Sequence, residues 1–244
     1  MSTAVGARHA LCRAAMMLAL AGTCGAAEFT APQSAAVSYE VYRNGWRVAV
    51  VSETFEAKDG AYRIVSESRA VGLLALVEKH TLRFVSSGAL TPSGLRPQHF
   101  EGKRGDADSR QVRADFDWPA AQLTIVHDGR TETFALPVAT QDRISSMYQF
   151  MFLSREGLQR LEFPMTNGRK LDHYVYTVQP GGDLDTRLGR MATLHLVKQH
   201  RADENVAEIW LAPQYRFLPV KLLIQEEDGT RYEQVITSLE LRER

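Results

Sequence analysis

Two-residue turn signals divide this 244-residue chain into short segments, and they limit its fold more than any other feature. Each signal is an Asn-Gly or Asp-Gly pair, and both types accept the positive φ angles of tight β-hairpins. They are Asn44-Gly45, Asp59-Gly60, Asp128-Gly129, Asn167-Gly168 and Asp228-Gly229. Most of them lie between segments that alternate apolar with polar residues, such as the one that contains Val112, Ala114 and Phe116. A period of two is typical of antiparallel strands with one buried face.

The number of these segments predicts the shape of the sheet. We count about a dozen of them by the usual strand signals. Twisted open sheets rarely exceed ~10 strands without curling or closing. We therefore predict a mainly β protein built on a large curved antiparallel sheet, a meander that forms a half-barrel or an open barrel.

One segment follows a helical period instead. Apolar residues recur there at intervals of three and four, at Ile144, Met147, Tyr148, Met151 and Phe152. The spacing predicts an α-helix over residues 141–156, packed on the sheet. Thr140 or Asp142 is the expected cap at its start, and Gly157 the expected stop after its end. The helix either forms part of the core or covers a lipid-sized cavity, where methionine and aromatic side chains adapt to variable ligands.

A second apolar segment, Val71–Val77, has no alternation. It is either a buried strand or short helix, or an apolar loop that touches a membrane, a ligand or a partner. It is too short to span a bilayer. In the cavity interpretation this segment lies at the rim of the binding site. The predicted ligand-binding residues are Met147, Tyr148, Met151 and Phe152, with Leu73, Leu74 and Leu76 at the rim.

The N-terminal 27 residues have the three parts of an export signal in the expected order. Arg8 and Arg13 supply the positive start, and the apolar stretch 14–21 follows. Small residues then precede Glu28, which predicts cleavage after Ala27 or Ala26. A lipoprotein signal is disfavoured because Thr23 precedes Cys24. The sequence therefore predicts a signal peptide over 1–27, one mature domain over 28–244 and a periplasmic location.

The charge balance and the cysteine positions argue against several classes of protein. Lys plus Arg number 29 and Asp plus Glu number 29, whereas nucleic-acid-binding domains usually carry a basic surplus. No apolar run reaches the roughly 18 residues that a membrane-spanning helix needs. Both cysteines, Cys12 and Cys24, are removed with the predicted signal. The mature chain therefore has neither a disulfide nor a thiol nucleophile. From the charge balance and the lengths of the apolar runs, we expect no nucleic-acid partner and no transmembrane span.

Motifs of catalysis and cofactor binding are absent from the sequence. It contains no G-x-S-x-G or S-x-x-K pattern, no phosphate-binding glycine loop and no H-E-x-x-H, so we expect no cofactor and no metal. Asp115 and Asp117 share one face of a predicted strand. Such a pair either acts as general acid and base, or binds a cation, or simply lies on the solvent-exposed face of a hairpin.

Several short motifs resemble one family of bacterial exported proteins. They are the segments Gln141–Tyr148, Asp185–Arg190, Glu208–Ala212 and Leu218–Lys221, together with the early Tyr39–Val41 strand. In this order and spacing they resemble the domain of unknown function 3108 family over residues 35–242. The resemblance implies a periplasmic or envelope protein of mostly β structure, and it supplies no catalytic residues. A more distant likeness to the half-barrel lipoprotein carriers of the bacterial envelope concerns the fold alone.

Three functions fit these observations. The leading hypothesis is a non-enzymatic periplasmic binding or carrier protein for an apolar small molecule, a lipid or an envelope component. The second is an envelope hydrolase that uses Asp115, Asp117 or a histidine from a distant strand. The third is a scaffold of the cell envelope that pairs an exposed strand edge with a protein partner.

Overall fold

A computed structural model describes residues 31–105, 111–153, 158–200 and 204–243. The predicted signal peptide and Gly157 lie outside these residues. The described residues form one large open sheet, as predicted, with fifteen strands where about a dozen were expected. The strands are β1 (Ser34–Arg43), β2 (Trp46–Lys58), β3 (Ala61–Ala70), β4 (Leu82–Thr91), β5 (Gly94–Arg104), β6 (Val112–Asp117), β7 (Gln122–His127), β8 (Arg130–Ala135), β9 (Gln141–Asp142), β10 (Arg160–Thr166), β11 (Leu171–Thr186), β12 (Gly189–Lys198), β13 (Val206–Ala212), β14 (Leu218–Gln225) and β15 (Arg231–Arg242).

The strand order is two meanders joined at the middle of the sheet. The order is β8-β7-β6-β5-β4-β3-β2-β1-β15-β14-β13-β12-β11-β10-β9. Adjacent strands are antiparallel except β9 and β10, which are parallel. Asn44, Asp59 and Asp128 have φ angles of 48°, 51° and 49°. Because the glycine after each also has a positive φ, these pairs form the tight hairpin turns that the sequence predicts.

The sheet curls until one edge meets strands in its other half. The Gln141 side chain in edge strand β9 donates a hydrogen bond to the Leu95 carbonyl of β5, at 2.9 Å. The Gln149 side chain accepts from the Leu95 amide at 2.7 Å. No ladder joins these strands, so within the described residues the sheet stays open. The predicted curved open barrel is therefore confirmed.

The predicted helix is present but shorter than expected. It comprises α1 (Ser145–Gln149) and a 3₁₀ turn (Phe150–Phe152), whereas Gln141 and Asp142 belong to β9. The Asp142 carboxylate accepts hydrogen bonds from the Ile144 and Ser145 amides at 3.0 and 2.8 Å. The carboxylate therefore caps the start of the helix, which begins at Ser145. The backbone of Asp142 itself is extended, because it pairs with β10. Leu153 is extended as well and ends the helix.

The helix joins two apolar clusters inside the curl. The larger cluster includes Phe55, Ile64 and Phe100 on the inner face of the sheet. Tyr148 of α1 stacks on Phe55, with ring centroids 5.5 Å apart. Phe150 belongs to the second cluster, which lies among β11 to β14. Among the described residues, no helix is both long and apolar enough to cross a membrane.

Candidate functional site

The helical residues predicted to bind a ligand divide into two pairs. Tyr148 and Met151 are 1% and 0% exposed, and both pack in the larger core cluster. Met147 and Phe152 are half-buried. Only this second pair presents accessible apolar surface in the structure as it stands.

The predicted rim residues lie on a short 3₁₀ helix, Gly72–Leu76, between β3 and β4. Leu73, Leu74 and Leu76 are 85%, 42% and 72% exposed. No residue of this helix is buried. The segment Val71–Val77 is therefore an exposed apolar connection that contains a short helix; the short helix is as one alternative had it, and the expected burial is wrong. Leucines at this exposure mark an interaction surface more often than a structural element.

A lone cation stands at the start of α1. Arg143 is exposed, although protein surrounds it on several sides, and its guanidinium lies over the Phe84 ring at 5.0 Å from the centroid. Desolvation lowers its pKa, while the nearby Tyr174 and Glu53 oppose that shift. Within the described part of the chain, Arg143 forms no ion pair. An unpaired guanidinium beside an aromatic ring is suited to receive a carboxylate or phosphate.

An acid with a perturbed pKa faces the same space. Glu53 follows Val51 and precedes Phe55 on the inner face of β2. Its carboxylate accepts hydrogen bonds from the Ser66 hydroxyl at 2.8 Å and the Tyr148 hydroxyl at 3.2 Å. Burial raises the pKa of Glu53, and these hydrogen bonds together with the Arg143 charge only partly offset that rise.

We call this region the Arg143 cluster and define it by Arg143, Glu53, Phe84, Tyr148 and Tyr174. Sequence reasoning missed both of its charged residues. The available signal was an acid on the inward face of β2, where the residues two before and two after it, Val51 and Phe55, are apolar.

A buried hydrogen-bond network fixes the position of Arg143. Asp142 is fully buried and accepts a hydrogen bond from the Ser86 hydroxyl at 2.5 Å. Ser86 in turn lies 3.0 Å from the Tyr62 hydroxyl. Burial raises the pKa of Asp142 to about 6, although four hydrogen bonds to its carboxylate lower it. The network ties the start of α1 to β3 and β4, so the residue after Asp142 has little freedom.

The groups considered for hydrolysis do not assemble into a catalytic site. His99 Nδ1 lies 2.7 Å from Asp115, and Arg113 pairs with the same carboxylate at 2.8 Å. In residues 31–105, 111–153, 158–200 and 204–243, no hydroxyl forms a hydrogen bond with His99. Asp117 accepts from the Ala120 amide and shapes a turn. Over the same ranges, no three His, Cys, Asp or Glu side chains converge on a metal site.

One of the motifs quoted above builds a cluster on β12 to β14. The Trp210 ring stacks on His195 with centroids 4.3 Å apart, and Lys221 lies 4.9 Å from the Trp210 ring centre. Glu208 is 2.7 Å from His195 Nε2. These contacts join three adjacent strands, so the motif residues have a structural role here.

Solved structures with a similar course of the chain come from three bacteria. A protein described as a lipoprotein from Parabacteroides distasonis has a TM-score of 0.35 and 8% identity, covering 86% of this chain and 96% of its own. An exported protein with a YmcC-like fold from Bacteroides fragilis has a TM-score of 0.31 at 8% identity, with the same coverage. A domain described as an outer membrane lipoprotein-sorting protein domain from Vibrio parahaemolyticus has a TM-score of 0.25 and 9% identity, covering 85% and 84%.

Comparison with curated protein sequences gives no match. The family described as protein of unknown function (DUF3108) matches residues 38–237, which is most of the chain. The family resemblance inferred from the short motifs is thereby confirmed, and the chain belongs to the DUF3108 family.

Proposed function

We propose that the protein is a non-enzymatic periplasmic binding or carrier protein for an amphiphile with an apolar chain and an anionic head group. The observation that carries this proposal is the Arg143 guanidinium, which has no ion pair in the described residues and stands beside apolar surface. The periplasmic location rests on the predicted signal peptide, residues 1–27.

The head group is the part of the ligand that Arg143 recognises. A guanidinium presents a planar fork of donors, which matches a carboxylate or phosphate in two parallel hydrogen bonds. Desolvation lowers the pKa of Arg143, which means that its charged form is poorly solvated. A bound anion would stabilise this charged form. Glu53 opposes an anion when ionised, and its raised pKa makes that opposition weakest in acidic solution.

The apolar chain of the ligand lies along half-buried side chains next to Arg143. Met147 lies on α1, four residues after Arg143, and is half-buried. Phe152 and Phe84 pack against the same core cluster as Met147, and flexible methionine accepts chains of different shape. Tyr148 and Met151 support the wall from the core, and Leu73, Leu74 and Leu76 receive the far end of the ligand in this proposal.

Native mass spectrometry tests the proposal directly. The protein is expressed with its own N-terminal segment and purified from the periplasmic fraction. We expect an added mass that matches a lipid and disappears after organic extraction. The proposal would be contradicted if the spectrum shows only the unliganded protein and this protein also fails to bind 11-(dansylamino)undecanoic acid.

Two matched variants test the role of Arg143. Arg143→Met removes the cation and keeps an apolar side chain, while Arg130→Met removes an exposed cation at the edge strand β8. Loss of a charge-assisted bond is expected to weaken binding of the dansyl fatty acid by about tenfold or more in Arg143→Met only. Equal affinity in the two variants would refute the assignment of the head-group site.

A further inference from the structure

Five exposed apolar side chains gather at one end of the sheet. Trp46 opens β2 and is 79% exposed, and the 3₁₀ helix that follows β3 lies beside it. The Val71 amide donates to the Val48 carbonyl at 2.8 Å, which fixes this helix against the start of β2. We call this group the apolar tip. Its members are Trp46, Leu73, Leu74, Leu76 and Val77.

The backbone of the apolar tip is ordered although its side chains face solvent. Gly72 enters the helix at a φ of 63°, a conformation that favours glycine. The Val77 and Glu78 amides both donate to the Leu74 carbonyl, at 3.2 and 2.9 Å. The hydrogen bonds of this turn are all made by backbone groups, so polar side chains would be compatible with it as well. The exposed leucines are therefore not explained by the turn itself.

The size of the patch distinguishes between its candidate partners. At these exposures the five side chains present on the order of 600 Å² of apolar surface, the upper end for a typical monomer. A standard protein interface takes about 800 Å² from each partner over a broad face. The apolar tip, with one tryptophan and four aliphatic side chains, presents less surface than that and fits a soft apolar medium.

Two cations beside the apolar tip lack an ion pair among the described residues, whereas the adjacent acid, Glu78, pairs with Arg104. Arg69 and Lys79 are exposed, and neither has an ion pair among the described residues. Arg43 lies opposite Trp46 in the β1–β2 register, and its guanidinium is 5.8 Å from the Tyr232 ring centre. Tryptophan, tyrosine and basic residues together are typical of the interface between lipid head groups and acyl chains.

We infer that the apolar tip inserts into the head-group region of an anionic phospholipid bilayer. Trp46 and the leucines enter the acyl boundary, while Arg69 and Lys79 face lipid phosphates. The five-residue helix is far too short to span the bilayer, so the contact is peripheral. The inference rests on the exposure of the tip itself, and it shares only the leucine segment with the proposed carrier function.

Vesicle flotation tests the inference with periplasmically purified protein. We expect the protein to float with mixed phosphatidylcholine–phosphatidylglycerol vesicles, to bind pure phosphatidylcholine more weakly, and to detach at high salt. Leu73→Asp combined with Leu76→Asp should reduce flotation at least about tenfold, since both sites are exposed and the fold has no need of them. The control Val138→Asp alters a residue that is 89% exposed elsewhere and should float like wild type.

Charge variants test the electrostatic part. Arg69→Gln and Lys79→Gln are each expected to weaken binding to anionic vesicles by about fivefold. Wild-type protein that does not float, or a double aspartate variant that floats unchanged, would overturn the inference. A stable protein complex that the same variant abolishes, without vesicle binding, would assign the tip to a protein partner instead. Arg143→Met should float normally, so failure of the head-group site and failure of membrane docking are distinguishable.

Discussion

Asp142 offers the sharpest test of the interior of this molecule. Its carboxyl is fully buried, and burial raises its pKa from the ordinary 3.8 to about 6. An acid with a raised pKa in the folded state binds its proton more tightly there than in the unfolded chain. Its contribution to stability is therefore complete below about pH 3.8 and is lost as the pH rises through about 6.

The substitution Asp142→Asn isolates this contribution. At 1.36 kcal/mol per pH unit, the shift from 3.8 to about 6 corresponds to about 3 kcal/mol of unfolding free energy. Asparagine keeps an oxygen that accepts from the Ile144 and Ser145 amides, and its amide donates to Ser86 after the hydroxyl turns. Relative to wild type, the variant is therefore expected to gain up to about 3 kcal/mol as the pH rises from about 3.8 to about 6, and nothing further above that.

Urea denaturation followed by tryptophan fluorescence measures the difference. Curves are recorded for wild type and Asp142→Asn at a series of pH values from below 3.8 to above 6. Glu56→Gln is the control, because Glu56 is exposed and without an ion pair in the part of the chain described. A wild-type-to-variant difference that stays constant with pH would refute the reasoning, because it would mean that Asp142 does not titrate in this range.

Three further substitutions test the packing of the curl and the helix. Gly168→Ala is expected to lower the unfolding free energy by about 1–3 kcal/mol more than Gly129→Ala, since both glycines have positive φ but a Cβ at Gly168 would lie 2.8 Å from another side chain; equal losses in urea titrations would contradict this contact. Met151→Ala is expected to cost about 2–5 kcal/mol by leaving a cavity, and thermal unfolding measures it. Tyr148→Phe is expected to cost about 1 kcal/mol and to raise the pKa of Glu53 further, because it removes one of its hydrogen bonds; carboxyl chemical shifts against pH report the second effect.

Local signals were enough to predict the strands and their turns. The Asn44-Gly45 and Asp128-Gly129 pairs form the expected hairpins because their backbone requirement is met within two residues. The extent of the helix was not predictable in the same way. Gln141 and Asp142 lie within the predicted helix bounds 141–156, but pairing with strand β10 holds them extended. The pairing of β9 with β10 therefore outweighed the local preference of these two residues for a helix, because helix propensity is a weak determinant.

The candidate site was likewise predictable only in part from local sequence signals. The apolar segment around Leu73 was identified from composition alone, but its exposure depends on how β3 and β4 are joined. Arg143 and Glu53 come from sequence positions 90 residues apart and face one space only because the sheet curls. No periodicity within either segment carries that information.

The strand order has a consequence for how the chain reaches its fold. β1 and β15 meet at the middle of the sheet, where Ser34 pairs with Arg242 and the Gln33 amide donates to Arg242 at 2.8 Å. Every other ladder of the described sheet joins strands that follow each other in the chain, so this central ladder contains the strand pairs with the largest sequence separation. A circular permutant that joins the ends near Gln33 and Arg242 and opens the backbone at the exposed Val138 would turn the slowest pairing into a hairpin. Such a permutant is expected to refold faster than the natural chain while keeping the same sheet.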